Sequence, residues 1–388
     1  MSLLGDEYDI DDAFDAHLSG ESKSALTFET PKQQNQLIGH GNQKDLFLKL
    51  FNAGKMPHGW IFSGTKGIGK ETTAFLAAKH ILSSVDDGDA SAGLFGDVAE
   101  VKPASDFSFD PEASIIKRIE SGGHGDLLFI EPDEEGKTEI INVVTARKVV
   151  QFLQKTSSEG GWRVVIINDA DKMNNAAQNA LLKILEEPPE KTVLILITTA
   201  IARLLPTIRS RCRLLPFNEL EPSDMRSLIS ESHILDDHDL SVEDAISFSK
   251  GSFGALQEFI DGGSRQVFQT LIDALVDAPA LDRQKLIDTS HKIIANRKGK
   301  DFSNFMRLWT WWIENLIKDF SDVCAYHPIL DEEIGIIKTL RVQDDVVEKL
   351  IGLWDNLNEL RIQSNWANHD KQTVILETYY LFESIFKK

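Results

Sequence analysis

The segment that decides the fold class is Trp60-Ile61-Phe62-Ser63-Gly64-Thr65-Lys66-Gly67-Ile68-Gly69-Lys70. Its first four residues are typical of a short buried strand, and the rest matches the P-loop pattern G-x-x-x-x-G-K. In such a loop the glycines let backbone N–H groups surround phosphate, and the lysine reaches the outer phosphates. The sequence therefore predicts a strand, a helix that begins near Lys70, and a phosphate-binding loop between them at Gly64, Gly67, Gly69 and Lys70.

Further apolar runs follow along the chain, and segments with helical spacing separate them. The runs are Leu127–Ile130, Val164–Ile167, Val193–Thr198 and, more weakly, Leu214–Phe217. Continuous apolar strands are typical of a parallel sheet that is covered on both faces. One intervening segment ends at Pro188 and carries apolar residues at helical spacing: Ala177, Leu181, Ile184 and Leu185. The pattern predicts an α/β domain with crossover helices.

Composition divides the whole chain into four segments. Residues 1–36 are acidic and then polar, and we expect a mobile tail. Residues 37–218 hold the alternation of strands and helices, with a surface insertion at 83–125 that is rich in Ser, Asp and Gly. From residue 219 only helical patterns remain. Gly262-Gly263-Ser264 divides them into a small helical lid, 219–263, and an all-α C-terminal domain, 264–388.

The overall composition excludes several classes of protein. The 388 residues include 41 Lys+Arg and 61 Asp+Glu, a net charge of −20, which argues against coating DNA or lipid through bulk charge. The chain has two cysteines, Cys212 and Cys324, too few for a four-cysteine zinc module, so we expect no metal site and no zinc. No apolar run reaches the roughly 20 residues that span a bilayer. We expect a cytoplasmic protein without a membrane partner.

The residues that should hold Mg²⁺ beside the P-loop are altered. The position after Lys70 requires a Ser or Thr hydroxyl, and here it is Glu71. An acidic pair should follow the third strand, but the chain has Asn168-Asp169, and a neutral amide holds Mg²⁺ more weakly. Direct binding of Mg²⁺ by Glu71 stays open. Asn168-Asp169 has two readings: Asn168 is the metal ligand and Asp169 stands at the catalytic position, or Asp169 is the metal ligand and Ala170 takes the catalytic position. Both readings predict that hydrolysis is lost. Because Lys70 is intact, ATP binding without hydrolysis stays open, and we expect no required cofactor.

Three segments resemble the AAA+ ATPases of the bacterial DNA polymerase III clamp loader: His58–Gly64, Asn179–Pro189 and Ser210-Arg211-Cys212. The resemblance is specific over residues 37–220 and continues beyond them as a pattern of helices. It implies an AAA+ P-loop domain with a parallel sheet, then an all-α lid over 219–263 and an all-α collar over 264–388. In this family the collar holds the subunits together.

The altered positions suggest a particular type of subunit within that family. Besides Glu71 and Asn168-Asp169, the lid carries Gly254 where active subunits place an arginine that contacts the γ-phosphate. These losses, with Ser210-Arg211-Cys212 retained, resemble the delta-prime type. That resemblance implies a subunit that does not hydrolyse ATP and that presents Arg211 in trans to a neighbour's ATP. It also implies partners: gamma/tau-type motor subunits and a delta-type subunit, with the sliding clamp and primed DNA contacted through the complex.

Two simpler interpretations stand beside this one. Arg211 alone would suit a surface or interdomain salt bridge, and Cys212 would suit a small buried residue. The intact Lys70 also fits an active motor subunit with an atypical Mg²⁺ site.

Overall fold

The computed structural model describes residues 29–84, 106–132, 140–159, 161–236, 240–261, 264–295, 300–323, 325–366 and 370–387. Most of the predicted acidic tail therefore lies outside the described residues, as do residues 85–105 of the predicted insertion. The Gly262-Gly263 boundary and Cys324 also lie outside them.

Among the described residues, five parallel strands form a single sheet. They are β1 (Gly59–Ser63), β2 (Leu127–Ile130), β3 (Arg163–Ile167), β4 (Thr192–Thr198) and β5 (Arg213–Pro216), in the order β2-β3-β4-β1-β5. β1 lies between β4 and β5, and its residue Trp60 pairs with Ile195 on one side and Arg213 on the other. The predicted parallel α/β architecture is confirmed.

Helices cover both faces of this sheet. They are α1 (Gly41–Asn52), α2 (Lys70–Ser83), α3 (Ser114–Glu120), α4 (Val143–Gln154), α5 (Asn175–Glu186) and α6 (Pro206–Arg209). Alternate residues of β3 point to opposite faces: Val164 and Ile166 pack with α1, α2 and α3, whereas Val165 and Ile167 pack with α4 and α5. The short helix α3 falls inside the predicted insertion and is attached to the core through its buried Ile116 and Ile119.

The amino ends of α4 and α5 are fixed by asparagine side chains. Asn142 Oδ1 accepts from the backbone N–H of Val144 at 2.8 Å, and Asn174 Oδ1 accepts from that of Ala177 at 2.8 Å. Such caps satisfy backbone donors that lack a partner within the helix. Helix α5 buries the predicted face and ends two residues before Pro188.

Only helices occur in the described part of the chain after residue 219. Three belong to the lid: α7 (Pro222–Ser232), α8 (Val242–Ser249) and α9 (Phe253–Asp261). Six follow: α10 (Ser264–Asp273), α11 (Arg283–Ile294), α12 (Lys300–Phe320), α13 (Asp331–Arg341), α14 (Val346–Trp366) and α15 (Lys371–Ser384). None of the described helices combines the length and the apolar composition that crossing a lipid bilayer requires.

Helix α12 forms the centre of the C-terminal helical core. Its aromatic and aliphatic face is fully buried, as expected for a core stripe: Phe305, Leu308, Trp309, Trp312 and Leu316. The lid contributes to the same apolar cluster. Phe248 of α8 lies 4.3 Å from the ring of Phe259 and 5.5 Å from that of Trp311, between ring centroids. The lid is therefore packed against the C-terminal helices by large aromatic side chains.

Candidate functional site

The predicted P-loop joins the carboxyl end of β1 to the amino end of α2. Its glycines take backbone conformations that suit glycine, with φ of 155° at Gly64, 76° at Gly67 and 103° at Gly69. A cavity of about 320 Å³ lies against this loop, and Asn168, Asp169 and the start of α9 line it too. The fold thus brings together the residues that the sequence assigned to a nucleotide site.

The Lys70 side chain is folded back onto its own loop. Lys70 Nζ donates to the carbonyl oxygen of Gly64 at 2.9 Å and to that of Thr65 at 2.5 Å. Burial lowers the pKa of Lys70 to about 8, although Asp169, Asp171 and Glu71 act in the opposite direction. Lys70 is therefore charged at neutral pH, and its ammonium group donates hydrogen bonds to backbone carbonyls of its own loop.

The two altered magnesium positions bond to each other. Asn168 Nδ2 donates to Glu71 Oε2 at 2.9 Å, and Asn168 Oδ1 accepts from the backbone N–H of Asp169 at 3.0 Å. The second contact fixes which end of the amide faces Glu71. Asn168 thus presents a donor toward Glu71, and an N–H donor cannot ligate a cation.

The charge environment of Glu71 is unfavourable for an ionised carboxylate. Burial, together with the nearby Glu131 and Asp169, raises the pKa of Glu71 to about 7, although Asn168 and Lys70 act in the opposite direction. Acidic side chains therefore lie where the triphosphate of a nucleotide would need a cation.

The acidic residues that follow Asn168 already have partners within the chain. Asp169 pairs with Lys172 at 2.7 Å. Asp171 Oδ1 accepts from Thr198 Oγ1 at 2.8 Å and from the backbone N–H of Thr199 at 3.1 Å. Asp171 was not expected from the sequence, since only the fold shows that it meets the carboxyl end of β4. These pairings hold the strand ends together.

The lid contacts the P-loop directly, backbone to backbone. The N–H of Gly254 donates to the carbonyl oxygen of Gly67 at 2.9 Å, and Ser252 Oγ donates to that of Lys66 at 2.8 Å. A Cβ atom on Gly254 would lie 2.7 Å from Gly67 Cα, closer than side chains tolerate. The position where the resembling motors carry an arginine is therefore occupied by a contact that requires glycine.

His40 is a further residue at this site that sequence reasoning missed. Its Nε2 lies 2.6 Å from the carbonyl oxygen of Ile68, and its ring meets Phe217 edge-on at 4.9 Å between centroids. Burial lowers the pKa of His40. A neutral imidazole with its proton on Nε2 can donate this hydrogen bond, so His40 supports the P-loop at Ile68.

The Ser210-Arg211-Cys212 triplet lies at the amino ends of β1 and β5, whereas the P-loop lies at the carboxyl end of β1. The triplet directly precedes β5, and a Cβ atom on Gly59, at the start of β1, would lie 2.9 Å from Cys212 Sγ and 3.5 Å from Arg211 O. The P-loop follows the opposite end of β1. A strand rises by about 3.3 Å per residue, so roughly 16 Å of strand separates the two. The structure does not bring Arg211 to this chain's own P-loop.

The Arg211 guanidinium donates to acceptors of the same chain. Its NH1 donates to Thr207 O at 2.9 Å, and its NH2 donates to Glu186 Oε1 at 2.8 Å. The Arg211 side chain is 34% exposed and that of Glu186 50%. The salt bridge considered as a simpler role for Arg211 therefore exists. The neighbouring Cys212 is half-buried, and burial raises the pKa of its thiol to about 12, so it is not a nucleophile at neutral pH.

No group of three or more His, Cys, Asp or Glu side chains is arranged to share a metal ion in the part of the chain that the structure describes. The absence of zinc stays a prediction from the cysteine count.

Comparison with known proteins finds similarity to subunits of DNA polymerase III. Residues 39–221 match the family described as DNA polymerase III, delta subunit. A DNA polymerase III subunit delta' of Bacillus subtilis is 32% identical over 206 residues, covering 52% of this chain and 54% of that protein. The subunit delta' of Pseudomonas aeruginosa is 36% identical over 170 residues, covering 44% and 46%.

The gamma type of subunit matches as well. A DNA polymerase III subunit gamma of Buchnera aphidicola is 28% identical over 245 residues, covering 63% of this chain and 59% of that protein. The matched part spans about half the length of the two delta' relatives. Over residues 39–221, therefore, this chain is similar to DNA polymerase III subunits of the delta' and gamma types.

Proposed function

We propose that this chain is a delta-prime-type subunit of a bacterial DNA polymerase III clamp loader. In this role it does not hydrolyse ATP at its own P-loop, and it supplies Arg211 to the ATP of a neighbouring subunit. Its partners are gamma/tau-type motor subunits and a delta-type subunit, and the complex loads a sliding clamp onto primed DNA in the cytoplasm. The observation that carries the proposal is the 2.9 Å hydrogen bond between Glu71 and Asn168.

That hydrogen bond argues against hydrolysis because it engages the side chains at the two Mg²⁺ positions, Glu71 and Asn168, with each other. When bound in an active site of this kind, Mg²⁺ neutralises phosphate charge and orients the phosphates. Here a carboxylate stands in place of the hydroxyl ligand, and the amide of Asn168 faces it as a donor. Asp169, the other candidate ligand, is paired with Lys172. The P-loop can retain affinity for a nucleotide through Lys70 and its glycines without supporting its hydrolysis.

The position of Arg211 supports a role in trans. The sheet separates it from its own P-loop, yet it stays one-third exposed at the opposite end of β1. A guanidinium that enters a neighbour's site stabilises charge on the transferred phosphoryl group, and such arginines contribute about 10³–10⁵ in rate. Arg211 offers the planar fork that this task requires.

The test is an ATPase and clamp-loading assay of the complex reconstituted from this chain, its motor and delta-type partners, the clamp and primed DNA. We expect Arg211→Ala to leave assembly intact and to lower both activities strongly. Arg211→Lys should recover little, since an ammonium lacks the planar fork. Lys70→Ala should have a much smaller effect. A larger loss with Lys70→Ala than with Arg211→Ala would overturn the proposal.

An active motor subunit is the second candidate, because Gly67, Gly69 and Lys70 line a cavity of about 320 Å³. For this candidate the purified chain alone would hydrolyse ATP in the presence of Mg²⁺, and Lys70→Ala would abolish that activity. For the delta-prime type of role the purified chain has negligible turnover.

A further inference from the structure

The Arg211 guanidinium is oriented by a carboxylate that no sequence pattern linked to it. We infer that Glu186 is a positioning residue, which holds Arg211 in the orientation needed to reach a neighbouring subunit's nucleotide. This inference rests on the proposed role of Arg211 in trans.

Glu186 is attached to a well-fixed part of the domain. It is the last residue of α5, and the carbonyl oxygen of the preceding Leu185 is 3.0 Å from His58 Nε2. His58 directly precedes β1, so the end of this helix is tied to an interior strand of the sheet. The carboxyl end of a helix carries partial negative charge, which favours a cation such as the Arg211 guanidinium beside it.

The contacts leave part of the guanidinium available. NH1 donates to Thr207 O and, over 3.4 Å, toward Ser210 Oγ, whereas NH2 donates to Glu186 Oε1. A guanidinium has five N–H donors in a fixed plane. The Nε–H and the second N–H of NH2 remain for an anion supplied by another subunit. Glu186 and Thr207 can therefore keep their contacts while Arg211 engages a phosphate, and together they fix the plane of the fork.

The energetics of the pair favour a role in geometry over a role in folding. Both side chains are substantially exposed, and exposed ion pairs contribute little to stability. Losing Glu186 should therefore leave the fold intact. A misplaced catalytic group is far more costly, because a shift of about 1 Å can lower a rate by up to 10²-fold. We expect the loss of Glu186 to be visible in the rate of the complex.

The experiment compares five variants of this chain in the reconstituted complex: Glu186→Ala, Glu186→Gln, Glu187→Ala, Arg211→Ala and the double variant of Glu186→Ala with Arg211→Ala. Glu187 is the matched control, since it is the adjacent carboxylate on the same helix end and is exposed. The readouts are kcat and KM for ATP, together with the melting temperature of each purified variant.

For a positioning role, Glu186→Ala lowers kcat by about threefold to tenfold with KM and melting temperature unchanged. Glu186→Gln, which keeps an oxygen acceptor, recovers most of that loss, and Glu187→Ala has no effect. The double variant is no slower than Arg211→Ala alone, because the two residues act as a unit.

Three outcomes would overturn the inference. In the first, the complex with Glu186→Ala is fully active although the complex with Arg211→Ala is slow. Another is an additive double variant. A third is higher activity of Glu186→Ala, which would mean that Glu186 restrains Arg211. Full activity of Arg211→Ala would instead overturn the proposed role of Arg211 in trans. The Arg211→Ala variant is therefore measured before the Glu186 variants.

Discussion

The backbone N–H of Gly254 donates to the carbonyl oxygen of Gly67 at 2.9 Å, and this contact closes the lid onto the P-loop without any side chain between them. The two glycines approach so closely that a Cβ atom on either one would lie under 3 Å from an atom of the other. The contact joins the start of α9 to the centre of the phosphate-binding loop.

Gly254→Ala should therefore destabilise the closed lid. Overpacking at a close contact typically costs about 1–3 kcal/mol, and here the obstructing atoms belong to the backbone, which cannot move aside cheaply. We expect a lower melting temperature and faster proteolytic cleavage near the lid. The control is Gly335→Ala in α13, where nothing lies within 4 Å of the added methyl group. That change should stabilise the protein by about 0.5–1 kcal/mol. Equal behaviour of both variants would contradict the packing argument.

Glu71→Gln should stabilise the protein relative to the unchanged chain, and the gain in stability should be larger at pH 8 than at pH 5. Burial raises the pKa of Glu71 to about 7 from its ordinary 4.5, so the folded state favours the protonated carboxyl group. Its favourable contribution is complete below pH 4.5 and is lost as the pH rises through 7.

The glutamine resembles the protonated form at every pH, so the expected gain at pH 8 is roughly 1–3 kcal/mol. The measurement is the melting temperature of both proteins from pH 4 to pH 9, with the exposed Glu187→Gln as control. A stability difference that does not change with pH would show that Glu71 is not held in a protonation-sensitive environment.

Restoring both altered positions should create metal-dependent nucleotide binding. A chain with Glu71→Thr and Asn168→Asp regains a hydroxyl and a carboxylate, the oxygen ligands that Mg²⁺ prefers. We expect titration calorimetry to show ATP binding on the order of tenfold tighter in Mg²⁺ than in EDTA, which is about 1.4 kcal/mol. The unchanged protein should show no such difference. Adding Lys70→Ala to the double variant should remove the gain, and a gain that persists without Lys70 would place the nucleotide elsewhere.

Glu333→Ala should severely destabilise the C-terminal helices. The Glu333 carboxylate is fully buried and accepts from Trp312 Nε1 at 2.7 Å, from Tyr326 Oη at 2.6 Å and from two backbone N–H groups at 2.8 Å. Removing it leaves several buried donors unsatisfied, at a cost of about 3 kcal/mol or more. Thermal unfolding followed by tryptophan fluorescence measures this loss. The adjacent exposed Glu332→Ala should change the midpoint little, and a similar loss for both would assign the effect to the helix end instead.

The strands of the domain could be predicted because each one is a short continuous apolar run. Val164–Ile167 and Val193–Thr198 each miss only one residue of the observed strand at its amino end. The added residue of β3 is Arg163, a buried arginine that donates to the carbonyl oxygens of Leu153 and Lys155. Its position in a strand depends on these partners in α4 and the following loop, so apolar periodicity could not reveal it.

The contacts that define the candidate site could not be predicted from spacing. Glu71 and Asn168 are 97 residues apart, and Arg211 and Glu186 are 25 apart. Periodic patterns report on neighbours within one helix or strand, whereas these pairs form only when separate crossover units align along the sheet. The sequence did single out Glu71, Asn168 and Gly254 as altered positions, because each one breaks a pattern that requires a particular residue type.

The length of β1 has a consequence for how such a domain can evolve. Its five residues separate the P-loop from Arg211, which lies near the other end of the strand and is one-third exposed. Selection can therefore act on either end alone. In the proposed role, changes at positions 71, 168 and 254 can accumulate while the surface around position 211 still serves a neighbouring subunit. One strand of ordinary length would then let a domain lose one half of a shared catalytic site and keep the other half.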